Sequence, residues 1–284
     1  MSRGDVSNSL TEQVERLTAE SKARAIAVSV HDLESGLRFS LRGDRWFHAA
    51  STIKVAVLLA LFRAVDEGRV RLDDSLHVRN RFFSAANGSP FQLNRDSDAM
   101  PELYQAIGQT AKISVLAEGM ISASSNLATN SLLDFVGVAY ARNVLRDAQV
   151  EGVELRRGVE DHAAHEKGVN NEATADGLVT LLSTLRGNFL RSESREQAIR
   201  ILLEQRFNSM IPAGLPPHAA VAHKTGEIST ACHDMGIVYL PEREPYIAVI
   251  LTEFDSEKEG RRETVAAISE AIYHSVMGMQ GEIK

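Results

Sequence analysis

The segments that read as β-strands lie at the two ends of the chain, and the stretch between them reads as helix. Near the N-terminus, Ala25–His31 and Leu37–Leu41 are strand-like, and the Glu34-Ser35-Gly36 turn between them predicts a hairpin. Near the C-terminus, Ala219–Thr225, Met235–Leu240 and Tyr246–Thr252 are rich in Val, Ile and Tyr and separated by turns, which predicts three antiparallel strands. Unpaired strand edges must be paired or covered. The simplest solution joins both end segments into one antiparallel sheet. Leu10–Glu20 and Arg261–Met277 have helical spacing and are placed to cover it.

The middle of the chain carries helical patterns over Ser51–Glu67, Val115–Ile121, Ser125–Val136, Ala139–Ala148, Ala173–Leu185 and Arg195–Arg206. The expected fold class is therefore α+β, an αβα sandwich with a central all-helical lobe. One domain spans 1–284, with 22–50 and 210–284 forming the sheet lobe and 51–209 the mainly helical lobe. A small-molecule site is expected in a cleft between two such lobes.

Composition excludes several classes of partner. The net charge is −7 and no dense Lys/Arg stripe occurs, so neither nucleic acid nor an anionic membrane surface is an expected partner. The longest apolar run, Val55–Phe62, is far too short to span a bilayer. The N-terminus lacks the apolar stretch and small-residue cleavage site of a signal peptide. That predicts a cytoplasmic protein, or a periplasmic or secreted one whose leader has been removed. The single Cys232 excludes an internal disulfide.

Three short motifs carry chemistry. Ser51-Thr52-Ile53-Lys54 is a Ser-x-x-Lys at a helix start, and residues three apart share a helical face. A serine hydroxyl needs an adjacent base to become a nucleophile, and a lysine whose pKa is lowered by burial can serve. The helix start also offers unpaired N–H groups that suit a developing oxyanion. Taken alone the motif is weak, because a serine at a helix start is far more often a cap than a nucleophile. Ser124-Ser125-Asn126 precedes another helix, again as caps or as groups aimed at substrate. Lys224-Thr225-Gly226 ends a strand, where the cation suits a substrate carboxylate and the glycine lets substrate lie along the strand.

In this order, each on its expected element, the three motifs resemble those of the class A β-lactamases and related penicillin-binding serine hydrolases. The resemblance runs from about Ala25 to the C-terminal helix. It implies a metal-independent hydrolase, without cofactor, that opens β-lactam amides through an acyl-serine intermediate. Ser51 would be the nucleophile and Lys54 the general base or its partner. Ser124 would pass a proton to the leaving nitrogen, and Asn126 would bind a substrate amide. Lys224 and Thr225 would hold a carboxylate, Gly226 would border the substrate, and the N–H groups of Ser51 and Glu227 would form the oxyanion hole. Asn130 would brace the loop bordering the site. A peptidase, amidase or esterase on the same scaffold, or a covalent β-lactam sensor with slow deacylation, is the alternative.

The chain departs from the family pattern in three places. Ser125 stands where the middle motif usually has Asp. The Asn80–Lys112 stretch looks longer than its family counterpart; Phe82, Phe83, Phe91 and Tyr104 either wall the site or pack as a local loop. The deacylating carboxylate has two placements. Motif shape favours Glu166, in Glu166-Lys167-Gly168-Val169-Asn170, whereas counting from Asn126 points to Glu160-Asp161. The His- and acid-rich run Glu160–Glu166 lacks zincin spacing, so no metal is expected. A Ser51-His233-Asp234 triad is disfavoured, because adjacent strand residues face opposite ways.

Overall fold

The computed structural model describes residues 3–257 and 259–280. It has a five-stranded antiparallel sheet built from both chain ends. The strands are β1 (Ala25–Asp32), β2 (Arg38–Leu41), β3 (Ala220–Ile228), β4 (Ala231–Tyr239) and β5 (Tyr246–Glu253). Their spatial order is β3-β4-β5-β1-β2. The two ends of the chain meet where β1 pairs antiparallel with β5, Ala25 opposite Glu253 and Asp32 opposite Tyr246. The hairpin expected at Glu34–Gly36 forms: Gly36 adopts φ 70°, and Asp32 accepts from the Glu34 and Ser35 amides.

The chain divides into two compact units. One comprises the described residues up to Thr52, Ala173–Ser183, and those from Phe207 onward. Here α1 (Arg3–Ser21) and α9 (Arg261–Gln280) cover one face of the sheet. Leu10 and Val14 from α1, and Val265, Ile268 and Ile272 from α9, pack on Ile26, Val28 and Val30 of β1 and on Tyr246, Ala248 and Ile250 of β5. The alternation of these strand residues is the period of two that puts every second side chain on one face. The intervening residues Ala27, Val249 and Leu251 are also buried, so the central strands read as continuous apolar runs.

Strands β3 and β4 are longer than their apolar runs. The strand pattern alone begins β4 at Met235, yet the ladder starts at Ala231 and passes through His233 and Asp234. These polar groups tolerate burial because each is hydrogen-bonded within the unit. His233 Nε2 meets the His48 carbonyl at 3.0 Å, and the Thr252 amide donates to His233 Nδ1 at 3.0 Å. Asp234 accepts from the Ile211 amide at 3.0 Å and lies 3.0 Å from His223 Nδ1.

The second unit comprises Ile53–Glu172 and Thr184–Arg206. It contains α2 (Lys54–Asp66), α3 (Ile113–Ser122), α4 (Asn126–Val136), α5 (Val138–Asp147), the short α6 (His162–Glu166) and α8 (Ser192–Leu203); α7 (Ala175–Arg186) ends within it. Helix α2 is the centre of this unit, apolar all round and buried from Val55 to Phe62, as expected for a helix enclosed by others. Among the described residues no helix is long and apolar enough to cross a membrane.

Candidate active site

In the sheet unit, Ser51 lies in a single 3-10 turn, Ala50–Ile53, that leads directly into α2. The residue before it, Ala50, is held at φ 47°. A side chain in this left-handed region costs about 1–3 kcal/mol, and such strain persists where surrounding contacts impose it. Here the Ala50 amide donates to His48 Nδ1 at 3.1 Å, and Thr52 Oγ1 donates to the Ala49 carbonyl at 2.5 Å. The turn is thus tied down on both sides of Ser51.

Strand β3 lies against this turn at Gly226. A Cβ added there would sit 3.1 Å from the Ser51 and Thr52 backbone nitrogens. The absent side chain lets β3 approach the Ser51 and Thr52 backbone closely, a role for the glycine besides the one toward substrate. Lys224 and Thr225 precede it and are buried. Lys224 Nζ donates to the Thr225 carbonyl at 2.8 Å. The Glu227 carboxylate is taken by α9, accepting from Arg261 at 3.1 Å and from Arg262 at 2.9 Å.

A serine–histidine–aspartate relay is ruled out by the bonding of β4. Both nitrogens of His233 are committed to backbone groups, and Asp234 is bonded to His223 instead. Burial pushes the His233 pKa down to about 4, so the ring stays neutral and structural.

In the helical unit, Lys54 is the first residue of α2 and is fully buried. Its ammonium donates to the Ser124 carbonyl at 2.7 Å, to Ser124 Oγ at 3.1 Å and to Asn126 Oδ1 at 2.7 Å. Burial lowers its pKa from 10.5 to about 7, against the opposing pull of the Asp98 and Glu160 charges. A lysine balanced near neutrality beside a serine hydroxyl can both take and return a proton.

Ser124 sits in the tight turn between α3 and α4 at φ 57°, a second non-glycine residue in the left-handed region. Ser125 caps α4, its Oγ accepting from the Ala128 amide at 3.2 Å. The Asn126 amide group then bridges two charged residues: Oδ1 meets Lys54, and Nδ2 donates to Glu160 Oε1 at 2.6 Å.

Of the two placements for the deacylating carboxylate, the structure brings Glu160, not Glu166, to this group. Asp161 explains the difference. Its Oδ1 accepts from the Ala164 amide and caps α6, while Oδ2 accepts from the Ala85 amide. This fixes Glu160 on the turn before α6, with φ 56°, and leaves Glu166 exposed at the opposite end of that helix. Asn130 secures the same turn, donating to the Val159 carbonyl at 3.0 Å and accepting from its amide at 2.8 Å. Among the described residues no three His, Cys, Asp or Glu side chains are grouped to hold a metal ion.

Sequence reasoning misses Asp98. It belongs to the Asn80–Lys112 stretch, is buried, and its Oδ2 accepts from the Asn126 amide at 3.0 Å and the Leu127 amide at 2.9 Å. Tyr104, the one aromatic of that stretch to join the group, donates to the same oxygen at 3.2 Å. Phe82 and Phe91 instead pair with each other across a short antiparallel ladder of two residue pairs, ring centroids 5.9 Å apart, and Phe83 is exposed.

A family model described as the beta-lactamase enzyme family matches residues 9–276. The chain belongs to the beta-lactamase enzyme family. Among curated relatives, beta-lactamase ROB-1 of Haemophilus influenzae is 26% identical over 258 residues, covering 88% of this chain and 79% of that protein. Among solved structures, PBP-A is 28% identical with a TM-score of 0.81, covering 95% and 96% of the two chains. An ancestral class A beta-lactamase is 26% identical with a TM-score of 0.80, covering 94% and 99%. The beta-lactamase fold accounts for the sheet assembled from both chain ends and for the helical middle.

Proposed function

We propose that this chain is a serine β-lactamase that opens β-lactam amides through an acyl-Ser51 intermediate. The observation that carries the reading is Lys54: fully buried, bonded to Ser124 and Asn126, with a pKa near 7, and three residues after Ser51 in the sequence. Neutral Lys54 accepts the Ser51 hydroxyl proton as Oγ adds to the lactam carbonyl carbon. The amides of Ser51 and Glu227 receive the oxyanion. Ser124 passes a proton to the lactam nitrogen as the C–N bond breaks, and regains one from Lys54. Lys224 and Thr225 hold the substrate carboxylate.

Deacylation adds water to the ester carbon. We assign its activation to Glu160, supported by its link through Asn126 to Lys54. Water then releases Ser51 with the ring-opened acid.

A second reading is favoured by that same link. The Glu160 carboxylate is already bonded to Asn126 at 2.6 Å, and an Asn126-bound carboxylate activates water less readily. On this reading the protein acylates and holds the adduct, as a penicillin-binding protein or sensor. A mutant of PBP-A, 28% identical to this chain, has been solved as an acyl-enzyme complex with penicillin G.

A chromogenic cephalosporin, followed by absorbance and intact mass together, separates the two. Steady turnover with a transient mass gain is expected for the β-lactamase. A stable adduct on Ser51 selects the second reading, and no adduct overturns both.

A further inference from the structure

Two departures from the family pattern meet at one atom. The middle motif has Ser125 where an Asp is usual, and the Asn80–Lys112 stretch reads longer than its family counterpart. The carboxylate missing from the motif is present in space, carried by Asp98 from that stretch.

We infer that Asp98 is a positioning residue of the active site, a carboxylate delivered from the Asn80–Lys112 stretch to hold the Ser124-Ser125-Asn126 turn in its working geometry. The inference rests on the acyl-Ser51 reading above. Asp98 Oδ2 is the common acceptor for Asn126 N at 3.0 Å, Leu127 N at 2.9 Å, Ser125 Oγ at 3.3 Å and Tyr104 Oη at 3.2 Å. Its other oxygen accepts from the Met100 amide at 3.0 Å, which fixes the carboxylate plane.

The first turn of a helix leaves its N–H groups without intrahelical partners, and a carboxylate there satisfies them and opposes the positive dipole end. Ser125 Oγ accepts from the Ala128 amide, and its hydroxyl proton goes to Asp98. The two residues divide a task that one Asp in the motif could perform alone.

The consequence reaches Lys54 by a short path. Asp98 fixes the Asn126 backbone, and Asn126 Oδ1 accepts from Lys54 at 2.7 Å. Ser124, one residue before Ser125, is held in a left-handed conformation and gives Lys54 both its carbonyl and its hydroxyl as acceptors. Release of the turn lets Ser124 relax and misplaces both groups.

The test measures the rate of Ser51 acylation by a fluorescent penicillin, with thermal melting alongside. The proteins are wild type, Asp98→Asn, Asp98→Ala, the double variant Asp98→Ala/Ser125→Asp, and Asp96→Asn as an exposed control on the same loop. Asp98→Asn places an NH2 group against N–H donors or against the Met100 amide. It should slow acylation about 10- to 100-fold, the range for loss of charge-assisted hydrogen bonds. The double variant should recover most of that loss, and Asp96→Asn should match wild type.

A pH profile separates positioning from mere folding. The charges acting on Lys54 are those of Asp98 and Glu160, and both favour its protonated form. Removing one should shift the acid limb of acylation to lower pH in Asp98→Asn, which loss of fold alone would not do. A labelled wild type with Asp98→Asn equal to it in rate and pH limb overturns this inference alone. Failure of the double variant to regain activity while it melts like wild type also overturns it. A wild type that never takes the label overturns the acyl-serine reading and this inference together.

Discussion

Lys54 Nζ lies 2.7 Å from Asn126 Oδ1, so the buried cation and the amide that faces it are fixed as a unit. With the Lys54 pKa near 7, the neutral fraction, which on the acyl-Ser51 reading accepts the serine proton, rises as pH passes through neutrality. The acylation rate should therefore climb between about pH 6 and pH 8 with an apparent pKa near 7. Substitution Lys54→Ala should abolish this limb and reduce acylation by at least about a hundredfold, the lower range for loss of a general base. Pre-steady-state acylation rates across pH check both.

The same lysine should shape stability. Its folded pKa, about 7, lies below its ordinary 10.5. Between these values the unfolded chain binds more protons than the folded one, so this contribution makes stability rise with pH in that window. Below pH 7 both states carry the charge and the full burial cost is felt. The melting temperature of wild type minus that of Lys54→Met should therefore increase from pH 7 to pH 10. A flat or falling difference contradicts the assigned shift.

Glu160 and Glu166 are separable by substitution. Glu160→Gln should leave acylation nearly intact and slow deacylation, so that the Ser51 adduct accumulates in intact mass. Glu166→Gln changes an exposed helix end and should match wild type in both steps.

Gly226→Ala probes the approach of β3 to Ser51. The added methyl meets the Ser51 and Thr52 backbone and the Thr52 methyl at 3.1 Å, so β3 and the strained Ala50–Ile53 turn must move apart slightly. Overpacking of this kind costs about 1–3 kcal/mol. Acylation should fall by about tenfold or more, because small displacements of reacting groups are costly, while Lys54 titration should be unchanged.

What is legible in the sequence is what local pattern encodes. The end-strand, middle-helix order and the three motifs rest on residues a few positions apart; the order is as expected, while Lys224-Thr225-Gly226, expected to end a strand, lies inside β3, which continues to Ile228. The placement of Glu160 and the part played by Asp98 depend instead on Asn126, 34 and 28 residues away, and no short-range period carries that information. Strand β4 reads short for a related reason. His233 and Asp234 look like turn residues until their buried partners, His48, Thr252 and His223, are known. Glu166 matches a motif by shape, but the Asp161 cap of α6 turns it outward.

Asn130 offers a test of the deacylation half of the site alone. Its side chain holds both backbone groups of Val159, the residue before Glu160, and makes no bond to Lys54 or Ser124 among those described. Asn130→Ala leaves the Val159 amide and carbonyl without these partners, at a cost of about 1–3 kcal/mol for each group that stays buried and unsatisfied. The turn bearing Glu160 should loosen, while the Lys54–Asn126–Asp98 arrangement keeps its own bonds. Acylation should stay within about twofold of wild type while deacylation falls about tenfold, as expected when one step loses about 1.4 kcal/mol of positioning. Single-turnover kinetics with mass detection would show a long-lived adduct. An equal fall in both steps would mean that Asn130 supports the whole site and that Glu160 is not a separate deacylation element.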